Sequence, residues 1–430
     1  MKTVVIEHLA RVEGHGGITV ELDGDSVAGV RFDVFEGARL LEPLVRGKRF
    51  DEVAPTLSRI CAICSVAHSL TSLKATENAF GVQVTPQTEL LRELLYLGES
   101  IESHALHLFF LAAPDYLNYP SAIALAADNP DAVRLGLRLK KLGNSIQEII
   151  GGRAIHPVNA VVGGFGRAPA VDRLIELRHA LEEGLKDSDG GIDLMAALPP
   201  ADFCRCETVY TALRSPGLDS YYAGDEVVVA SNGDRTVVRA ADYRTLTNEK
   251  PMPHSHAKHS TFGGKPFMVG SLARLTVNPQ RLAGRMAAAM ERLQLRLPAV
   301  NPMDNNKAQA VELIGDIARA LEITGQFLRD GVRDEPPVTV QPRAASGTGI
   351  TEAPRGLLIH SYTYDAGGRI TAADVITPTA LNAASMELHF RRTAEQCPER
   401  TDTAIAKRLE MVARAYDPCI SCSVHVVHRR

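Results

Sequence analysis

Two Cys-x-x-Cys motifs near opposite ends of the 430-residue sequence could together bind a soft metal ion. The cysteines concerned are Cys61, Cys64, Cys419 and Cys422. A histidine follows each motif, and a charged residue lies two positions before the first cysteine of each pair. Four thiolates select zinc, iron or another late transition metal over hard cations such as magnesium.

Two simpler functions are compatible with cysteine pairs of this spacing. A structural zinc module usually places its two pairs within about 15 to 20 residues of each other, whereas Cys64 and Cys419 lie near opposite ends of the chain. A redox dithiol would account for one pair and leave the other unexplained. A site assembled from both ends must be held together by the whole fold, which favours a larger metal centre.

The sequences around these cysteines resemble the two signature motifs of nickel-iron hydrogenase large subunits. They are RICAICSVAH at residues 59–68 and DPCISCSVH at residues 417–425. The similarity continues in RVEGH at residues 11–15 and EAPRG at residues 352–356, and it covers essentially the whole chain. The compact length and the short C-terminal tail are most similar to the soluble, NAD(P)-linked group called sulfhydrogenases.

The resemblance implies a metal centre with defined ligands. It makes Cys61 and Cys419 terminal ligands of nickel, and it makes Cys64 and Cys422 bridges to an iron that carries two cyanides and one carbon monoxide. A magnesium ion or a second iron is expected at a separate position. The ligands implied for that ion are Glu42 and His425.

Further site residues also follow from the resemblance. By sequence alone Glu13 would be a solvated charge and Arg355 a turn residue. The family pattern instead makes Glu13 the first proton acceptor beyond Cys419, and it places Arg355, oriented by Asp417, over the open side of the metals. The residues implied to surround the iron ligands or the bridging sulfur are Pro354, Arg355, Thr379 and His68.

The expected fold is mainly α with small β hairpins (α+β), built on a long central helix bundle of the hydrogenase large-subunit type. We predict a single domain over residues 1–430. Its parts are a β-hairpin region at 1–50, a helical core at about 85–330, a C-terminal metal-site segment at 340–425 and a cleavable tail at 426–430.

Local patterns support these elements. Alternation of apolar and polar residues predicts a first hairpin around Ile18–Leu22 and Val30–Val34. Thr85-Pro86 is a helix start, and apolar spacing predicts a core helix of about 28 residues after it. The other predicted elements are a helix after Asn129-Pro130, one after Asn278-Pro279, one over about 304–328, and hairpins at 227–239 and 357–376.

Two groups of histidines offer other metal ligands. His104 and His107 share a helical face, but we expect them to be hydrogen-bonded core residues. His254, His256 and His259 lack a neighbouring carboxylate pattern, so a polar loop is expected there.

Composition limits the classes of partner. A net charge of −4, from 47 basic and 51 acidic residues, predicts no bulk attraction to nucleic acid or to anionic membranes. The sequence lacks an uninterrupted apolar stretch of about 18 residues and a recognisable signal peptide, so we predict no membrane span and a cytoplasmic location. Seven cysteines fit a reducing compartment.

The resemblance also implies partners, since the sequence has no recognisable iron-sulfur array. They are a small subunit with iron-sulfur clusters, flavin- and NAD(P)-binding diaphorase subunits, and an endopeptidase that removes the tail after His425. The expected activity is reversible cleavage of H2, with electrons passed to NAD(P). A hydrogen sensor would keep the same ligands, whereas quinone-binding relatives in respiratory complexes would not need both cysteine motifs.

Overall fold

Helices make up most of the regular structure. The computed structural model of the chain describes residues 2–24, 26–37, 40–215, 222–231 and 233–424. The helices are α1 Leu41–Val45, α2 Phe50–Leu57, α3 Ser65–Phe80, α4 Pro86–Leu106, α5 Ala113–Tyr116, α6 Ala122–Asp128, α7 Pro130–Gly151, α8 Val171–Ala197, α9 Tyr243–Leu246, α10 Ser271–Val277, α11 Gly284–Arg292, α12 Asp304–Asp330, α13 Pro378–Glu395 and α14 Asp402–Ala415.

Short strands form small sheets around the helices. The strands are β1 Lys2–Ile6, β2 Gly16–Asp23, β3 Ser26–Val34, β4 Ala160–Val161, β5 Gly164–Phe165, β6 Val209–Leu213, β7 Glu226–Ser231, β8 Asp234–Arg239, β9 Lys250–Met252, β10 Ser255–His259, β11 Phe267–Met268, β12 Ala345–Ala353, β13 Gly356–Tyr364 and β14 Ile370–Ile376. Their orders are β1-β2-β3, β4-β5, β11-β6-β7-β8, β10-β9 and β12-β13-β14. All neighbouring pairs are antiparallel except β11 and β6. This combination confirms the α+β prediction.

The central bundle consists of α4, α7, α8 and α12, which pack against one another. As predicted, α4 starts after Thr85, whose hydroxyl accepts a hydrogen bond from the Thr88 amide at 3.1 Å. The predicted single helix is interrupted, because a π-helical turn at His107–Ala112 separates α4 from α5. Helix α8 was not predicted from the sequence.

The two histidines at the end of α4 are hydrogen-bonded in the core, as expected. His104 Nε2 lies 3.1 Å from a carboxylate oxygen of Glu312 on α12. His107 Nε2 donates to the Arg414 carbonyl at 2.7 Å, and its other ring nitrogen contacts Gln309. These contacts join the bundle to α14, which leads to the second cysteine motif.

Helix α3 lies almost entirely buried against β12 and β13. Two glycines of β12 permit this packing, because a Cβ atom at Gly347 would lie 2.4 Å from the Ala75 carbonyl and one at Gly349 would lie 2.5 Å from the Thr71 carbonyl. The close approach fixes α3, and with it the first cysteine motif, against the C-terminal sheet.

The hairpins predicted at 227–239 and 357–376 are present as β7-β8 and β13-β14. The segment before the second hairpin was not predicted to be a strand, yet it forms β12 and pairs along its length with β13. The helix expected after Asn278-Pro279 begins only at Gly284, because a 3-10 turn at Pro279–Arg281 precedes it. Among the described residues, no helix is long and apolar enough to cross a membrane.

Candidate metal centre

The first cysteine motif joins a short turn to a buried helix. A 3-10 turn at Ser58–Ile60 leads into Cys61, and Cys64 occupies the N-cap position of α3. Glu99 of α4 anchors the start of this helix, since its carboxylate accepts from the amides of Val66 at 2.6 Å and Ala67 at 2.9 Å. The carboxylate therefore satisfies helix-start amides that have no intrahelical partner.

The second cysteine motif follows α14 and lies beside the N-terminal segment. Cys419 forms an isolated parallel bridge with Glu13, and the Ile420 amide donates to the Glu13 carbonyl at 2.9 Å. The Cys419 amide donates to the Thr379 hydroxyl at 2.9 Å, at the start of α13. Two distant parts of the sequence thus hold the backbone of this motif.

The structure brings the four predicted cysteines together. Their Sγ atoms all lie within 4.8 Å of one another, and each residue is at most 4% exposed. The closest Sγ pairs are Cys419–Cys422 at 2.7 Å, Cys61–Cys419 at 3.4 Å and Cys64–Cys422 at 3.6 Å. All four are free thiols rather than disulfides.

The protonation chemistry of this cluster fits a metal cation. Burial raises the pKa of Cys419 well above its ordinary value and that of Cys422 to about 11, while hydrogen bonding from Cys419 lowers the pKa of Cys61. Without a cation, one thiolate is therefore favoured and its neighbours are kept protonated. Four thiolates at this separation require compensating positive charge, which a soft metal supplies.

Arg355 provides a fixed positive charge beside the sulfur atoms. Its Nε donates to the Asp417 carbonyl at 2.8 Å, and its Nη2 donates to Asp417 Oδ1 at 3.0 Å. Both residues are 3% exposed, and Gln309 Nε2 donates to the other carboxylate oxygen at 3.2 Å. Burial opposes the charge, but Asp417 and the neighbouring cysteine cluster raise the pKa of Arg355 above its ordinary value.

One donor of Arg355 remains without an acceptor in the described part of the chain. Its Nη1 atom is buried and makes no hydrogen bond there. A buried donor of a charged group is costly to leave unpaired. The arrangement therefore fits an additional acceptor beside the guanidinium, such as a ligand carried by a bound metal.

Glu13 contacts the cluster through Cys419. Its Oε2 atom accepts from Cys419 Sγ at 3.1 Å and from the Ser421 amide at 3.1 Å, and its Oε1 atom accepts from the Ser421 hydroxyl. The Glu13 side chain is only half-buried. A carboxylate that contacts a sulfur atom and reaches the edge of the core is suited to move protons.

His68 lies one turn after Cys64 on α3. Its Nδ1 atom is 3.1 Å from Nε2 of His360, whose other ring nitrogen is 2.6 Å from the Tyr362 hydroxyl. Burial lowers the pKa of His68 to about 4, so the imidazole is neutral near pH 7. The contacts fix the orientation of a neutral ring beside the cysteine motif.

The remaining predicted site residues are Pro354, Glu42 and His425. The Pro354 carbonyl accepts from Arg274 at 2.9 Å, which holds the loop before Arg355. Glu42 Oε1 accepts from the Val375 amide at 3.2 Å, beside β14. His425 and the tail at 426–430 lie outside the described residues, so the ion site predicted with Glu42 stays a prediction.

Three residues that hold the centre were missed by the sequence analysis. They are Glu99, Arg274 and Gln309, each of which lies far along the chain from the group that it supports. No local motif marks them, because their roles arise only when helices from different parts of the chain pack together.

Family comparisons agree with the geometry. A family described as Nickel-dependent hydrogenase matches residues 39–147 and 216–425, and one described as HoxL-like matches residues 3–36. The alpha chain of sulfhydrogenase 1 from Pyrococcus furiosus is 39% identical over 427 residues, covering 99% of this chain and 98% of that protein. The alpha chain of sulfhydrogenase 2 from the same organism is 35% identical over 425 residues, covering 99% of each.

Solved structures show the same fold. An NAD+-reducing [NiFe]-hydrogenase in the H2-reduced state superposes with a TM-score of 0.90 at 28% identity, covering 99% of this chain and all of that one. A [NiFeSe]-hydrogenase from Dm. baculatum superposes with a TM-score of 0.81 at 23% identity, covering 99% and 100%. The second similarity concerns the fold alone.

Proposed function

The chain belongs to the nickel-dependent hydrogenase family, and from that premise we propose that it is a catalytic large subunit that cleaves H2 reversibly into protons and electrons. The observation that carries the proposal is the convergence of four buried cysteines between the carboxylate of Glu13 and the guanidinium of Arg355. The whole of residues 1–430 acts as one domain, since a shared core includes apolar residues from Val4 to Ile420.

The metal centre of this proposal is a nickel ion and an iron ion with two cyanides and one carbon monoxide. Cys61 and Cys419 would hold the nickel, and Cys64 and Cys422 would be ligands of both nickel and iron. Pro354, Arg355 and Thr379 surround the iron ligands. When bound, the metals supply the site at which H2 is polarised and its electrons are accepted. A magnesium or second iron ion bound by Glu42 and His425 completes the cofactor set.

The side chains have separate tasks at this site. Arg355 keeps a positive charge over the open side of the cluster, because a guanidinium does not lose its proton and Asp417 holds it in place. His68 keeps a neutral imidazole in a fixed orientation one turn after Cys64. Glu13 accepts the proton from Cys419 Sγ and releases it towards the surface, over a contact of 3.1 Å.

We also propose the partners that complete the reaction. Electrons leave through a small iron-sulfur protein, then through flavin-containing diaphorase subunits to NAD(P), in the cytoplasm. Two observations favour this: the sulfhydrogenase relatives are named as one component of a larger enzyme, and one similar structure is an NAD+-reducing enzyme. A maturation endopeptidase removes residues 426–430 after nickel insertion.

The first test is metal analysis combined with infrared spectroscopy of the chain purified with its partners. We expect nickel and iron, together with cyanide and carbon monoxide stretches and H2-dependent dye reduction. Cys64→Ser should abolish all of these signals. Cys204→Ser is the matched control, because Cys204 is equally buried but lies outside the cluster, where its thiol contacts the His389 carbonyl at 3.5 Å. Zinc without those stretches would instead identify a structural metal site.

The identity of the electron acceptor is tested separately on the same complex. H2-dependent reduction of NAD+ and NADP+ is compared with reduction of an artificial dye. Dye reduction without reduction of either nucleotide would remove the NAD(P) assignment and leave the hydrogenase assignment intact. H2 binding without turnover of any acceptor would identify a sensor.

A further inference from the structure

A second cluster of metal-ligating side chains lies outside the cysteine centre. It consists of His254, His259 and Glu387, whose ligand atoms all lie within 4.8 Å of one another. The sequence predicted only a polar loop here, whereas His259 lies in strand β10 and the carboxylate comes from the distant helix α13. In the fold, that helix packs directly against β10 and supplies the missing acid.

The separations within this cluster suit a small divalent cation. His254 Nε2 lies 2.9 Å from Glu387 Oε1, and His259 Nδ1 lies 3.7 Å from Glu387 Oε2. Tetrahedral zinc with bonds of about 2.0–2.2 Å places its ligand atoms roughly 3.3–3.6 Å apart, which lies between these two distances. The second distance is also too long for a hydrogen bond, so that gap is open to a bridging ion.

The protein fixes these ligands but leaves part of their bonding capacity unused. Glu387 Oε1 accepts from the Phe32 amide at 2.9 Å, which orients the carboxylate. His259 is 7% exposed, and its Nε2 atom has no hydrogen-bond partner in the described part of the chain. The charge of Asp33 also acts on Glu387 and adds to the negative character of the cluster.

We propose that His254, His259 and Glu387 bind a divalent late transition metal of the zinc class, separately from the four-cysteine centre. Two imidazoles and one carboxylate are a common ligand set for such ions. The ion would join α13 to the strand β10. Ala257 of that strand bridges to Val424, just beyond the last cysteine of the centre. The site would therefore stabilise the strand against which the end of the described chain is held.

Cobalt(II) is a suitable probe because its absorption spectrum distinguishes thiolate ligands from nitrogen and oxygen ligands. The full chain with its partners is dialysed against a chelator and titrated with cobalt. We expect an added cobalt ion with visible d–d bands and no thiolate charge-transfer band. Glu387→Gln and His254→Ala should lose this ion, while the nickel and iron content remains unchanged.

His256→Ala is the matched control. His256 lies on the same strand, but its side chain is exposed and contacts the Glu36 carbonyl at 2.9 Å. This variant should bind cobalt as the unmodified chain does. The proposal is overturned if the unmodified chain takes up no cobalt beyond thiolate-ligated metal, or if Glu387→Gln and His254→Ala bind as well as His256→Ala. His254 and Glu387 are both partly exposed, so each variant should fold and each tests the site independently.

Discussion

At the scale of single residues, the carboxylate of Glu13 makes the most informative contacts with the cysteine centre. Its carboxylate is shared between Cys419 Sγ and the amide and hydroxyl of Ser421. The Ser421 contacts hold the carboxylate in place, and the sulfur contact keeps it within hydrogen-bonding distance of the Cys419 thiol. A group held in this way acts without first having to find its orientation.

We predict that Glu13→Gln lowers H2-dependent dye reduction by about 10²- to 10⁴-fold, the usual contribution of a positioned acid or base. The amide preserves the size of the side chain but cannot take up the proton. Nickel and iron content should remain unchanged, because Glu13 is not a proposed metal ligand. The measurement is the steady-state rate per nickel, with the infrared bands recorded on the same sample.

Glu36→Gln is the control for this prediction. Glu36 is a nearby carboxylate that accepts from the His15 amide at 3.0 Å rather than from a cysteine. Its variant should retain the full rate. If both variants show the same rate per nickel, the proton does not leave through Glu13.

Some residues of the centre could be predicted from the sequence, and others could not. The four cysteines could be grouped because two Cys-x-x-Cys motifs in one chain are a specific pattern, and the fold does place them together. Glu13 and Arg355 were identified only by family resemblance, since neither has a distinctive local pattern. Glu99 and Gln309 had no sequence signal, because each supports a group from a remote segment.

At the scale of the helix, α3 carries Cys64 and His68 and is positioned at both ends. Gly81 ends it with a positive φ of 69°, which suits glycine at a helix C-terminus. At its start, Glu99 from α4 accepts from two amides and is fully buried. Burial raises the pKa of Glu99 well above its ordinary value, and the two amide hydrogen bonds oppose that rise.

We predict that Glu99→Gln destabilises the chain by about 1–3 kcal/mol, since one buried amide loses its acceptor and faces an NH2 group. Loosening the start of α3 should also reduce the retention of nickel. The measurements are the urea midpoint of unfolding and the nickel-to-protein ratio after dialysis. Glu89→Gln, at an exposed position on the same helix α4, should change stability by no more than about 0.5 kcal/mol. Equal effects of the two variants would contradict a capping role.

Local sequence signals explain why some helices and strands were predicted and others were not. Thr85-Pro86 and Asn129-Pro130 are strong helix starts, and α4 and α7 begin there. The π-helical turn at His107–Ala112 has no comparable signal, because it depends on contacts with α12 and α14. Strand β12 was missed because its glycines suggest a loop, although they are needed for close packing against α3.

At the scale of the whole molecule, a buried charge network connects the bundle to the loop that carries Arg355. Arg274 of α10 pairs with Glu312 of α12 at 2.6 Å and with Glu352 of β12 at 3.2 Å. It also donates to the Ala353 carbonyl at 3.0 Å and to the Pro354 carbonyl. One fully buried guanidinium thus connects three elements and fixes the approach to the metal centre.

Removing this guanidinium should be costly because it leaves two buried carboxylates without their cation. We predict that Arg274→Met lowers the free energy of unfolding by about 3–5 kcal/mol, which is the usual cost of removing one partner of a buried ion pair. Burial already raises the pKa of Glu352 to about 7, so without Arg274 this carboxyl should become protonated. The variant should consequently lose more stability at pH 8 than at pH 6, because the neutral acid tolerates burial better than the anion.

Arg214→Met is the control for this prediction, because it removes an ordinary surface ion pair. Arg214 pairs with Glu226 at 3.0 Å, but both side chains are largely exposed, and such pairs contribute less than about 1 kcal/mol. Urea unfolding of both variants at the two pH values provides the comparison. A small, pH-independent loss for Arg274→Met would mean that the bundle holds the Arg355 loop without this network. A large loss accompanied by weaker infrared bands would show that the whole fold, rather than the motifs alone, determines the geometry at the cysteines.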